Sequence, residues 1–266
     1  MKKSLLSLAV AAALGLASAS ASAALINVGG VTWDPDAFFD FSATDAVFES
    51  VVTNVGDTLI GYGKITSING DTTGFCAGCE LTYKVSYTLA SISGLANEKF
   101  TFSGGNIDLY VDGSPDWSAS TNPTGLAASA TDGALFLSLV GRQTYDAFTG
   151  KYGTLHSSAT PTVGETGSGY GYLDVVAGAG LAAENFDTNG RITVEDSIGT
   201  FGLADIKFTN TFQLLDNPFV TDGKLMVMSS ASTFSGNTIP EPGSMALIGL
   251  GLAGLGLAQR RRKAAK

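Results

Sequence analysis

Ten residues about a third of the way along the chain alternate without a break. Leu81, Tyr83, Val85, Tyr87 and Leu89 are apolar, and Glu80, Thr82, Lys84, Ser86 and Thr88 between them are polar. A period of two held for ten residues places every apolar side chain on one face of an extended strand, and a helix would scatter them. Similar runs occupy 46–53 and 58–68 on either side of Val55-Gly56-Asp57. Others occupy 99–103 and 106–111 on either side of Gly104-Gly105, which reads as a hairpin turn. Further strands are expected at 134–140, 170–176, 206–214 and 224–230, with irregular segments at 112–132 and 177–200 and one short helical turn within 178–185. Val, Ile, Phe, Tyr and Thr fill the strands, and Gly, Asn, Asp and Ser fill the joins. This spacing predicts an all-β fold: a single Gly-rich β-sandwich, jelly-roll-like, over 24–230, with closure into a barrel as the open alternative. Residues 231–239 are expected to be a linker.

The two ends are of another kind. Lys2 and Lys3 precede an apolar stretch at 5–16, and Ala21-Ser22-Ala23 supplies a small-residue cleavage site. This is a secretory signal peptide, a helical leader over 1–23 with cleavage expected after Ala23. At the other end Pro240-Glu241-Pro242 is followed by an apolar run at 245–258 and by Arg260, Arg261, Arg262 and Lys263. A stable membrane helix needs roughly 20 apolar residues. This run has 14, so as a transmembrane segment over 244–258 it is a marginal one. The cations behind it mark a cytoplasmic end, and its glycines suit a membrane helix. Pro240 and Pro242 stop any helix from running back into the body.

Charge divides along the same lines. Of the 15 cations, 7 lie in the two removable ends, but of the 24 acids only Glu241 does. Residues 24–240 carry 8 cations and 23 acids, a net charge of −15 against −9 for the whole chain. Such a surface repels nucleic acid and anionic membranes and attracts divalent cations.

Candidate chemistry is sparse. Cys76-Ala77-Gly78-Cys79 precedes a strand, not a helix, and in an exported chain a disulfide closing that turn is the better reading. Two thiols and one histidine are too few for a zinc centre. The lone His156 has no G-x-S-x-G elbow to serve and reads as an ordinary polar loop or strand residue. Asp187-Thr188-Asn189-Gly190 departs from the EF-hand pattern, so Asp187 and Asn189 are weak calcium ligands at best. Asp112 and Asp116 flank a second acidic turn, where two carboxylates can share a cation or simply face solvent. Trp117, directly after it, and Trp33 are aromatic rings able to stack on a sugar, although core packing is the commoner fate of tryptophan. No cofactor is expected, with Ca²⁺ as the one metal to consider. Nothing singles out a pair of glycosidase carboxylates.

The tail resembles the PEP-CTERM sorting signal of Gram-negative bacteria, through Pro240, Glu241, Pro242, the apolar run, and Arg260, Arg261 and Arg262. The resemblance implies a substrate of exosortase, exported by the Sec machinery, held briefly at the inner membrane, and then released or attached at the cell surface. Within the body, Phe48-Glu49-Ser50-Val51-Val52-Thr53-Asn54, Gly61-Tyr62-Gly63-Lys64-Ile65, 76–83, 106–112 and 185–189 resemble the flocculation-associated PEP-CTERM proteins. That likeness implies a non-enzymatic protein that promotes aggregation and biofilm formation with exopolysaccharide or other surface glycans. A lectin-like carbohydrate-binding module is the alternative, and a glycan hydrolase the weaker third. Loss of both ends predicts that the mature protein elutes later from an anion exchanger than its precursor. Co-elution of the two forms would refute processing at both ends.

Overall fold

The computed structural model describes residues 24–94, 98–120, 122–147, 149–159, 166–188, 192–196 and 199–239. The expected leader helix over 1–23 and the tail helix over 244–258 lie outside these residues. The chain is all-β, as the alternation predicts. Strands β3 (Phe41–Ser50), β4 (Thr58–Ile68), β5 (Glu80–Ser93), β6 (Glu98–Asp112), β7 (Ala134–Arg142), β10 (Leu155–Ala159), β11 (Thr166–Val175), β14 (Ile206–Thr221) and β15 (Lys224–Gly236) form one antiparallel sheet. Small two-stranded sheets are made by β1 (Ile26–Val28) with β2 (Val31–Trp33), β8 (Thr144–Asp146) with β9 (Lys151–Gly153), and β12 (Ile192–Asp196) with β13 (Gly199–Ala204).

The two halves of a sandwich are here a single sheet that closes on itself. Around the ring each strand pairs antiparallel with the next, from β3 through β4, β5 and β6, and β15 returns to β3. Between β6 and β11 lie two strands, end to end. β7 pairs with Asn106–Val111 of β6 and with Tyr172–Val175 of β11, and β10 pairs with Glu98–Phe102 and with Ser168–Gly171. They are one strand position interrupted by the β8–β9 excursion. The result is an up-and-down barrel with eight strand positions. Alternation alone cannot separate this from a sandwich, because both bury every second residue. The difference lies in pairings between distant segments.

Gly104 and Gly105 do not turn a hairpin. β6 runs straight through them, and both take positive φ, 64° and 91°. Asn106 pairs with Ser86 and Ser103 with Thr88, so the two glycines face Tyr87 alone in a bulge. A Cβ on Gly105 would clash with the Tyr87 ring. At this bulge β6 changes partner from β10 to β7.

The barrel interior is filled, as expected for eight strands. Leu81, Tyr83, Val85, Tyr87 and Leu89 of β5 all point inward and are buried. Gly63 on β4 leaves the space in which the Tyr83 ring lies. One end is plugged by the β1–β2 hairpin and by a helical turn at Ala183–Phe186. There Trp33 packs against Phe186 and Phe136, and Phe41 against Phe186, with ring centroids 4.9–6.4 Å apart. Trp33 is 2 % exposed, which removes it as a sugar platform. The Cys76–Cys79 disulfide forms as expected. Its loop holds the plug through Thr32 N–H to the Phe75 carbonyl, at 2.7 Å.

The C-terminal linker is shorter than the sequence suggests. β15 pairs through Gly236 with Phe41 of β3 and Ile206 of β14, so the first six residues of 231–239 are strand. Their Ser, Thr and Gly content conceals the inward pair Ser232 and Phe234.

Two acids, Asp45 and Glu49, also lie on inward positions of β3 and are buried. Tyr83 Oη donates to Asp45 Oδ2, and the Ser232 N–H donates to Oδ1 at 2.6 Å. Burial outweighs these bonds and raises the Asp45 carboxyl to about 6. Its folded pKa therefore exceeds the unfolded one, so the carboxyl destabilises the fold as pH rises from about 4 through 6. Relative to Asp45→Asn, the wild type should lose up to about 3 kcal/mol between pH 4 and pH 7, taking 1.36 kcal/mol per unit. Urea melts of both proteins across this range would read it, and a constant difference would contradict the assignment.

Candidate functional site

Glu80 opens β5 on its outer face, where Lys64 of β4 and Thr82 also point. An outer position on a barrel is normally wet. Here the loop between β6 and β7 folds back over it. The Thr82 hydroxyl donates to the Ala130 carbonyl, and the Ala127 N–H donates to Thr221 Oγ1 near the tip of the β14–β15 hairpin. Leu126 and Ala130 pack on Tyr62 and Met226, with Trp117, Phe48 and Phe219 around them. This satellite core covers the outside of β3, β4 and β15.

Beneath the loop the Glu80 side chain is wholly buried and fully used. Oε1 accepts the backbone N–H of Asp116 at 2.9 Å and of Trp117 at 3.1 Å, and Oε2 accepts Lys64 Nζ at 3.0 Å. A buried carboxylate needs this complement of donors. Asp112, at the end of β6, holds its own turn by accepting the Ser114 N–H at 2.9 Å. Carboxylate oxygens of Glu80, Asp112 and Asp116 all lie within 4.8 Å of one another, close enough to share a cation. Asp116 is exposed, and its carboxyl is pushed up by partial desolvation and by the charges of Asp132, Glu80 and Asp112. A hard cation bound by oxygen ligands would relieve that repulsion.

The structure thus brings Asp112, Asp116 and Trp117 together, as their spacing in one turn suggests, and adds Glu80 and Lys64 from across the sheet. Trp117 is half-buried, with its ring against the satellite core. Glu80 escaped the sequence reading because it occupies the polar phase of the strand. A clue lay in its pairing with Asp112, which follows from aligning β5 with β6. Asp187 caps the helical turn at Ala183–Phe186, far along the chain from this cluster, and Asn189 lies outside the described residues. His156 stacks on Tyr170 beneath the β8–β9 hairpin, with Nε2 3.1 Å from Thr144 Oγ1.

A second functional feature is the exit of the tail. Asp40 Oδ2 accepts the Thr238 N–H at 2.7 Å and its hydroxyl at 3.1 Å. The Ile239 N–H donates to the Asn185 carbonyl at 2.8 Å. The chain is pinned to the barrel up to the residue before Pro240. Pro240, Glu241, Pro242, Arg260, Arg261 and Arg262 lie outside the described residues, as does Ala23. Among the described residues no helix is long and apolar enough to cross a membrane.

Residues 238–263 match the family described as the PEP-CTERM protein-sorting motif. The match begins at Thr238, where the barrel holds the chain, and it covers the tail alone. Searches of curated proteins and of solved structures found no match to the chain. The motif marks an exported chain with exosortase as its processing partner.

Replacing Glu80 with Gln should leave the Lys64 ammonium without its counter-ion and loosen the loop over the sheet. Lys64 is 31 % exposed, so water partly screens the ammonium left behind and the loss falls below that for a fully buried pair. Faster hydrogen exchange of residues 113–125 would register the change, and unaltered exchange would show that Glu80 does not hold the loop.

Proposed function

We propose that this sorted, exported chain is a non-enzymatic matrix or cell-surface protein that promotes cell aggregation within exopolysaccharide. The observation that supports this reading is the junction itself, where the sorting motif begins at residues still hydrogen-bonded to a closed, filled and acidic barrel. A barrel whose interior is taken up by its own side chains offers its outer surface and loops for contact. The signal peptide and the tail deliver that surface to the cell exterior. After both ends are removed, the net charge of −15 suits a soluble component that meets neutral glycans directly and anionic ones through divalent cations.

A second reading is carbohydrate binding at Trp117. It is supported by the half-exposed ring beside Asp112 and Asp116, acids able to accept sugar hydroxyls or to share Ca²⁺.

Deleting the gene for this chain should reduce aggregation of the producing cells. A Glu241→Ala protein should stay in the membrane fraction at precursor size. Normal aggregation together with normal fractionation would refute the first reading. For the second, Trp117→Ala should abolish retention on the native exopolysaccharide, with Ca²⁺ raising the melting temperature of the wild type but not of Asp112→Asn. Equal retention of wild type and variant would remove it.

A further inference from the structure

We infer that the tail end of the barrel is a membrane-contact face, with Phe38 as its anchor, that rests on a zwitterionic phospholipid surface until the tail is cut. The inference rests on the reading of 245–258 as a membrane-inserted run. Ile239 is fixed to the barrel through Asn185, and the apolar run starts at Met245. Six residue steps at full extension reach only about 20 Å. Whatever surrounds the exit point of the chain is held within that distance of the bilayer.

Three segments converge on this exit point, and each presents an apolar side chain to solvent. Phe38 is 94 % exposed and lies two residues before Asp40, which binds Thr238. Leu181 is 52 % exposed, four residues before Asn185, with its Cδ1 against Gly29 of the N-terminal hairpin. Ile239 itself is 38 % exposed. Phe38 and Phe39 meet edge to face, with centroids 5.0 Å apart. They form the lip of a groove of about 310 Å³ whose floor carries Ser42, Thr44, Ser67 and Asn69. An apolar lip over a floor of hydroxyls and an amide matches the boundary between acyl chains and headgroups, into which Phe and Leu side chains of surface-bound proteins insert. Exposed apolar residues also occur at the opposite end, Val55 among them. They stand a strand away, roughly 30 Å for ten residues at about 3.3 Å each, beyond the reach of the tether.

Charge selects the lipid. Asp34, Asp36, Asp40, Glu184 and Asp187 belong to the same converging segments, so anionic headgroups are repelled. The contact is therefore apolar, made with neutral headgroups. It is weak enough to be lost once the tether is cut, because a single aromatic residue does not hold a protein on a bilayer.

Nitroxide labels can test this in the full chain, signal peptide removed and tail intact, in phosphatidylcholine nanodiscs. The native cysteines are paired, so labels go only to an added one. The positions are Ala37→Cys, beside an intact Phe38, Val55→Cys at the far end, and Leu250→Cys in the tail. The expected result is oxygen accessibility at 37 at least five-fold above that at 55, with 250 deeper still, and a return to the level of 55 when Phe38→Asp is added. A label at 37 as water-exposed as that at 55, with 250 in the acyl region, overturns the contact face. A label at 37 already shielded before nanodisc assembly overturns it in favour of the tail folding back over the groove. A label at 250 in water overturns both the contact face and the inserted tail.

Discussion

Closure of the sheet is the constraint on which the rest of the structure depends. An open sheet of these strands would present two long edges of unpaired N–H and C=O groups. Here β15 meets β3 across Phe41–Gly236, and the remaining gap between β6 and β11 is filled by β7 and β10 in turn. The switch between those two fillers occurs at Gly104 and Gly105. Their positive φ values let β6 bulge, and their missing side chains let the Tyr87 ring lie across the wall. With the ring closed, every inward side chain has a fixed neighbour, and even the acids Asp45 and Glu49 stay inside, hydrogen-bonded in the case of Asp45 through Tyr83 and Ser232.

Closure also determines how the outer surface is used. The loop after β6 folds over the sheet because Glu80 and Thr82 on the outer face supply an acceptor and a donor for its backbone. That arrangement carries the acidic turn of Asp112 and Asp116 and places Trp117 at its margin. The same carboxylate therefore stabilises the loop and contributes to its negative potential, and Lys64 offsets only part of that charge.

The strands were legible where one face alone is buried. The run 80–89 is inside β5, and 58–68 coincides with β4. Class and strand direction follow from such alternation. The barrel was not legible, because closure is a statement about Leu139 and Val175, or Phe102 and Leu155, pairs that no local pattern connects. Gly104-Gly105 misled for a physical reason, since two glycines serve a turn and a bulge equally well. The C-terminal half of β15 was missed because its small polar residues resemble a linker, and only Phe234 betrays the inward phase. Of the candidate site, the acids of one turn could be read together, while Glu80 and Lys64 reach it through strand pairing.

The position of β15 in the chain bears on the order of events during synthesis and transport. This strand is the last of the barrel, and it is the partner of the first, pairing Thr233 with Thr44 and Gly236 with Phe41. The ring cannot shut until residue 236 is available to residue 41, and two residues later the sorting motif begins. Nearly the whole polypeptide must therefore emerge before its fold is complete. Folding and arrival of the address are thus almost simultaneous, and any delay in the final strand leaves an unfinished sheet with two open edges beside the very segment that exosortase processes.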